Sequence, residues 1–182
     1  PGSHGSGFPL PLQPGLKVHN DPPSRPLANA GDGFFIDDAI DGLTIGGTIA
    51  ADRNVISGNG GDGLYIENLD DVDVLGNYFG VAANGTTKIA NGQHGVYLNS
   101  VSNVDIGDGT SAGRNILAGN TSAGLFVTGN SSDINVQSNY VGLGSDGETI
   151  LPNSSSFDAL AFWGDGAVNT YTNVLIDGNH VA

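Results

Sequence analysis

The side chains best able to do chemistry are carboxylates that bunch: Asp37, Asp38 and Asp41 form one group, and Asp70, Asp71 and Asp73 another. Two such acids about 6.5–9.5 Å apart across a cleft would suit an inverting glycosidase. Each group sits where a turn is expected, so solvated loop acids are the simpler reading. Bases are scarce. Outside the first 30 residues the chain holds only Arg53, Lys88 and Arg114. The two arginines recur at equivalent places, in Asp52-Arg-Asn-Val-Ile-Ser-Gly-Asn59 and Gly113-Arg-Asn-Ile-Leu-Ala-Gly-Asn120. A corner residue repeated with its turn explains them better than catalysis does. His94, in Gln93-His94-Gly95, also reads as a corner. No catalytic residue is assigned, and the expectation is a protein that is not an enzyme.

Composition narrows the field further. Among 182 residues, 19 acidic side chains face 5 basic ones, for a net charge of −14. That excludes a phosphate-tracking groove and with it nucleic acid as a partner. The absence of cysteine removes disulfides, thiolate metal sites and cysteine nucleophiles. No apolar run approaches the roughly 20 residues of a membrane span, so no membrane insertion is expected. Acidity without cysteine fits an extracellular or cell-surface location.

The elements that must position these groups repeat. Seven of the eight prolines lie in the first 26 residues, so 1–30 reads as an extended Pro/Gly-rich tail or linker. In the remainder, 31–182, the arginine segment returns after 61 residues, and Asn77-Tyr-Phe-Gly80 returns as Asn139-Tyr-Val-Gly142 after 62. A finer unit of small–apolar–x–apolar starts at Gly33, Gly63, Gly95, Gly124 and Ala159, in steps of 30, 32, 29 and 35. Its apolar residues alternate with period two, which marks a strand with one buried face. Phe34/Ile36, Leu64/Ile66, Val96/Leu98, Leu125/Val127 and Leu160/Phe162 point inward together. A second set is Leu43/Ile45, Val72/Val74, Val104/Ile106, Ile134/Val136 and Val174/Ile176. A third, weaker set is Val55-Ile56, Ile89 and Ile116-Leu117, and Asn59, Asn91, Asn120 and Asn153 recur in register. Strands of four residues persist only when equivalent strands stack and satisfy one another's backbone groups. The fold class is therefore all-β, a parallel β-helix of about five coils.

Asn54-Val-Ile-Ser-Gly-Asn59, the segment 76–92 that opens Gly76-Asn-Tyr-Phe-Gly80, and its second copy from Ser138-Asn-Tyr-Val-Gly142 to Asn153 resemble modules of large secreted bacterial repeat proteins with right-handed parallel β-helices, of pectate-lyase-like fold. The resemblance covers about 31–182 and implies a right-handed solenoid. It is specific for fold and poor for function, because that architecture carries lyases, epimerases, glycosidases, tailspikes, adhesins and purely structural segments. The enzyme signatures of those groups are absent: the chain has no Asp-Pro-His, no Arg-x-Pro-x-x-Arg and no Gly-His-Gly.

Two outward files complete the reading. On the first strands Phe35, Tyr65, Tyr97 and Phe126 form an aromatic strip, ended by Ala161, that could contact the tail, a partner or a glycan. On the second strands Thr44, Asp73, Asp105, Asn135 and Leu175 follow one another. The stacked acids make structural calcium a candidate, and no other cofactor is implied. The last turn carries no recognisable cap, so the chain is either a piece of a longer solenoid or is capped by self-association, end to end or through the tail. The function expected is a non-catalytic structural module: a stalk, an adhesin segment or a self-stacking filament subunit. The alternatives are a polysaccharide-active enzyme and a glycan-binding module.

Overall fold

Apolar pairs two residues apart become strands here because another copy of each pair lies alongside. The computed structural model describes residues 29–37, 42–154, 156, 158–164 and 169–182. The first coil contains β1 (Phe34–Asp37), β2 (Leu43–Gly46) and β3 (Val55–Ile56), and the second β4 (Leu64–Glu67), β5 (Asp70–Leu75) and β6 (Tyr78–Phe79). The third has β7 (Val96–Asn99), β8 (Ser102–Ile106) and β9 (Ile116–Leu117), and the fourth β10 (Leu125–Thr128), β11 (Ser131–Gln137) and β12 (Tyr140–Val141). The fifth ends with β13 (Leu160–Phe162), β14 (Tyr171–Asp177) and β15 (His180–Val181). Equivalent strands pair in parallel to give three five-stranded sheets: A (β1-β4-β7-β10-β13), B (β2-β5-β8-β11-β14) and C (β3-β6-β9-β12-β15). The chain is a parallel β-helix of five coils.

Register follows the period-two pattern. Phe34, Leu64, Val96, Leu125 and Leu160 lie opposite one another along sheet A, as do Leu43, Val72, Val104, Ile134 and Val174 along sheet B. In the middle coils Leu64, Ile66, Val96, Leu98, Leu125 and Val127 are wholly buried. Each such side chain contributes about 1.5–3 kcal/mol by leaving water. Corners are also in register. Gly46, Gly76, Gly107, Ser138 and Gly178 all have φ between 57° and 90° at the bend between the second and third strands, and glycine takes that conformation without steric penalty.

The third set needs correction at Ile89. The third strand of the second coil is Tyr78–Phe79, and Ile89 closes a hairpin that leaves the coil after it. There Val81 bridges Lys88 in antiparallel fashion, and the Ile89 amide donates to the Gly80 carbonyl at 2.9 Å. The fourth coil repeats the hairpin, with Leu143 bridging Ile150. The first and third coils instead carry a longer link before their third strand, between Gly46 and Val55 and between Ile106 and Ile116. This alternation is the origin of the 61–62-residue repeat.

Two asparagine ladders bind coil to coil. In one, each side-chain amide donates to the carboxamide oxygen of the next coil: Asn54 to Asn77 (3.0 Å), Asn77 to Asn115 (3.4 Å), Asn115 to Asn139 (3.0 Å) and Asn139 to Asn179 (3.1 Å). The other runs from Asn29 to Asn59 (3.2 Å), Asn91 (2.9 Å), Asn120 (2.9 Å) and Asn153 (3.1 Å). Backbone amides share the same acceptors, for example that of Asn115 with Asn139 Oδ1 at 3.1 Å. The second hydrogen of Asn115 Nδ2 reaches the Val74 carbonyl at 2.7 Å. Asn77, Asn91, Asn115, Asn120 and Asn139 are all fully buried. Burial without these partners would cost about 1–3 kcal/mol per polar group.

Candidate functional site

Sheet A turns the aromatic file outward in the expected register, with Phe35 opposite Tyr65, Tyr65 opposite Tyr97, Tyr97 opposite Phe126 and Phe126 opposite Ala161. Period-two alternation puts all of them on the outer side of the pleat. The rings spend their faces largely on one another. Tyr65 and Tyr97 are stacked with centroids 4.6 Å apart and planes 8° from parallel, while Phe35 meets Tyr65 edge-on at 5.1 Å and Phe126 meets Tyr97 edge-on at 5.4 Å. His94 lies over Phe126 at 4.4 Å. Tyr65, Tyr97 and Phe126 are consequently half-buried. The terminal rings are not: Phe35 is 55% exposed and Trp163, 6.4 Å from Phe126, is 56% exposed. Sequence reasoning missed Trp163. It stands two residues beyond Ala161, so the alternation that placed the other rings also placed this one.

Polar groups border the strip. Tyr65 Oη donates to Glu67 (3.1 Å), Asn99 Nδ2 donates to the other Glu67 oxygen (2.8 Å), and Thr128 Oγ1 donates to Tyr97 Oη (3.2 Å). These bonds fix the rims of the column and leave its two ends as the open aromatic surface.

Beside the strip runs a line of titratable groups at the corner preceding sheet A. Asp32 accepts from the Asp62 amide (2.7 Å), Asp62 from the His94 amide (2.7 Å), and His94 Nδ1 from the Ala123 amide (3.1 Å). Burial pushes the Asp62 carboxyl up to about 6, helped by the Asp32 charge and opposed by the His94 amide; burial also draws His94 down to about 4. Perturbed groups of this kind are what active sites contain, yet here each holds the backbone of the next coil. Their pH effects oppose each other. Asp62 contributes stability that is complete below pH 3.8 and is lost as pH rises through 6. His94 contributes stability that is complete above pH 6.5 and is lost as pH falls through 4. Asp62→Asn keeps the acceptor and removes the titration. It should melt above the parent at pH 7, by a margin that shrinks on acidification to pH 4. A margin that grew on acidification, read from thermal melts, would contradict this assignment.

The acidic file on sheet B is also in register, with Asp73 opposite Asp105. Amide and hydroxyl donors sit beside the carboxylates: Asn135 Nδ2 bonds Asp105 at 2.7 Å and Thr44 Oγ1 lies 3.5 Å from Asp73. Asn103 bonds Asp71, Asn173 bonds Asp133 and Ser102 bonds Asp70. Thr44, Asp71, Asp73, Asn103 and Asp105 line a shallow hollow of about 190 Å³. Among the described residues no three His, Cys, Asp or Glu side chains converge where a metal ion could sit. Asp38 and Asp41, and the Pro-rich tail through residue 28, lie outside the described residues. Asn29 already belongs to the stack, since its carbonyl accepts from the Gly60 amide at 2.8 Å.

Sheet C is covered. The Arg53 guanidinium lies 4.2 Å from the Tyr78 ring centre, and that of Arg114 lies 4.0 Å from that of Tyr140. The Nε atoms donate to the carbonyls of Gly76 (3.1 Å) and Ser138 (2.8 Å). The two hairpins stack at their tips, where the Ser145 amide donates to the Gly85 carbonyl at 2.9 Å. Tyr78, Val81, Ile116 and Ala118 are buried in a second cluster outside the sheet. The arginines serve as repeated corner residues and do not meet the acidic groups. No family model, curated protein or solved structure matches the chain.

Proposed function

We propose that the chain is a non-catalytic structural module outside the cell, a stalk, adhesin segment or self-stacking subunit of the right-handed β-helix type. One observation carries the reading: the buried polar and strongly shifted groups face the next coil, where Asp62, His94 and the asparagines hold backbone amides. A catalytic site would leave such groups free to meet a substrate. Strong acidity and the lack of cysteine support the extracellular placement.

A second reading, glycan binding, is favoured by the exposed rings of Phe35 and Trp163 at the two ends of the strip, since aromatic faces pack against the apolar faces of sugar rings. One experiment addresses both. Incubation with a panel of acidic and neutral polysaccharides should leave polymer length unchanged, and new chain ends would overturn the non-catalytic reading. Retention on any of these polymers that falls at least tenfold in Phe35→Ser/Trp163→Ser would establish the glycan-binding reading. Equal retention of parent and variant would remove it.

A further inference from the structure

We propose that Tyr65 and Tyr97 form a built-in site for oxidative cross-linking, at which a peroxide-driven one-electron oxidant of the haem-peroxidase class joins their rings through a carbon–carbon bond and staples the second coil to the third. The proposal goes beyond the structural-module reading, and neither polysaccharide result bears on it. The carrying observation is the stack. The two tyrosines lie opposite each other on adjacent parallel strands, β4 and β7, with ring centres 4.6 Å apart and planes 8° from parallel. That separation is close to the spacing of two phenol rings bonded directly to one another. Register sends both side chains out on the same face of the sheet at the same height along their strands. A turn of the rings about their Cβ–Cγ bonds therefore brings a Cε of one against a Cε of the other with little movement of the centres.

The surroundings confine the reaction to this pair. Of the five tyrosines, Tyr78 lies under Arg53 and opposite Val55 and Ile116, Tyr140 meets Arg114 and His180, and Tyr171 meets Phe162 edge-on. Among the described residues no other two tyrosine rings touch. Phe35 flanks Tyr65 and Phe126 flanks Tyr97, and a phenylalanine ring is far harder to oxidise than a phenol. The chain also has no cysteine and no methionine, the side chains that peroxides attack first. The single tryptophan, Trp163, is separated from Tyr97 by Phe126. Both tyrosines are half-buried, open enough to lose an electron to an outside oxidant and held firmly enough to meet each other first.

Each tyrosine gives up one electron and its phenolic proton. Tyr65 Oη donates to Glu67 Oε2 at 3.1 Å, so the carboxylate is placed to take that proton, and Asn99 Nδ2 steadies its other oxygen at 2.8 Å. The Tyr97 proton passes to water, while Thr128 Oγ1 holds the Tyr97 oxygen at 3.2 Å. The two phenoxyl radicals pair their electrons in a new Cε–Cε bond. The hydrogen on each joined carbon then moves to the ring oxygen, which restores both phenols. The two electrons and two protons released reduce one hydrogen peroxide to two waters. The product closes the chain between residues 65 and 97 as a disulfide would, in a protein that has no cysteine to do so.

Full-length protein in dilute solution, treated with a haem peroxidase and hydrogen peroxide, tests this. The expected product shows blue dityrosine fluorescence at the single-chain mass of 18.4 kDa, less two hydrogens, and digestion yields the Tyr65 and Tyr97 peptides joined. Tyr65→Phe and Tyr97→Phe should each abolish it with an unchanged circular dichroism spectrum, and Tyr140→Phe should keep it. The cross-linked chain should melt above the parent by roughly 5–10 °C, since the closed loop limits the unfolded state. The proposal is overturned if the parent keeps a native spectrum and forms no dityrosine, if dityrosine appears only at multiples of the single-chain mass, or if the mapped link joins other tyrosines. Fluorescence that survives Tyr65→Phe, or a cross-linked chain that melts where the parent does, overturns it equally.

Discussion

Asn115→Leu should lower unfolding free energy by about 1–3 kcal/mol, the cost of leaving one buried polar group unmatched. That group is the Asn77 amide, which donates to Asn115 Oδ1 at 2.9 Å; the Val74 carbonyl loses Asn115 Nδ2, at 2.7 Å, but still accepts from the Gly107 amide at 2.9 Å. Leucine fills the space and supplies neither bond. Against a total of about 5–15 kcal/mol for a typical domain, this is a substantial fraction of the stability. The same change at Asn179, half-buried on the last coil, should cost under about 1 kcal/mol because water replaces the missing partner. Urea unfolding of both variants checks the contrast. Equal losses at the two positions would mean that the ladder does not bear the stability assigned to it.

The second large effect belongs to Gly95→Ala. A Cβ there would lie 2.6 Å from the Gly124 carbonyl oxygen and 2.8 Å from Asn120 Nδ2. One contact is backbone and the other is a ladder rung, so neither yields cheaply, and a destabilisation of about 1–3 kcal/mol or more is expected. Gly33, Gly63 and Gly124 are crowded in the same way by Asn59, Asn91 and Asn153. The fifth coil has no such rung over it among the described residues, and there the position is Ala159. Gly31→Ala is the matched control, since its Cβ would meet nothing within 4 Å. A thermal melt that dropped equally for both would show that the crowding is relieved by movement.

Sheets A and B were legible because their strands are long enough for a period of two to show. Leu64 and Ile66, or Val104 and Ile106, bracket one outward residue, and that suffices to assign faces. Sheet C was harder to read because Tyr78–Phe79 and Tyr140–Val141 have two residues and no period. Their outer residues are aromatic, packing under hairpins and arginines in the second cluster, which hid the resemblance to Val55-Ile56. The signal that finds them is the residue before: Asn54, Asn77, Asn115, Asn139 and Asn179 each precede a third strand. Among candidate site residues, the aromatic file came directly from alternation. The stacking of its rings did not, because side-chain torsions decide whether neighbours present faces or edges. The corner line from Asp32 through Asp62 to His94 shows no repeat in the sequence, since its members are 30 and 32 residues apart and differ in type.

The hydrogen bonds that join coil to coil run along the long axis, so a load applied between the ends pulls them lengthwise, a few at a time. A coil of about 30 residues stands about 4.8 Å tall in the stack but reaches roughly 100 Å once drawn out. Under tension the molecule therefore behaves as a brake with discrete clicks: each released turn pays out some twenty times its resting height, while the turns behind it keep their grip.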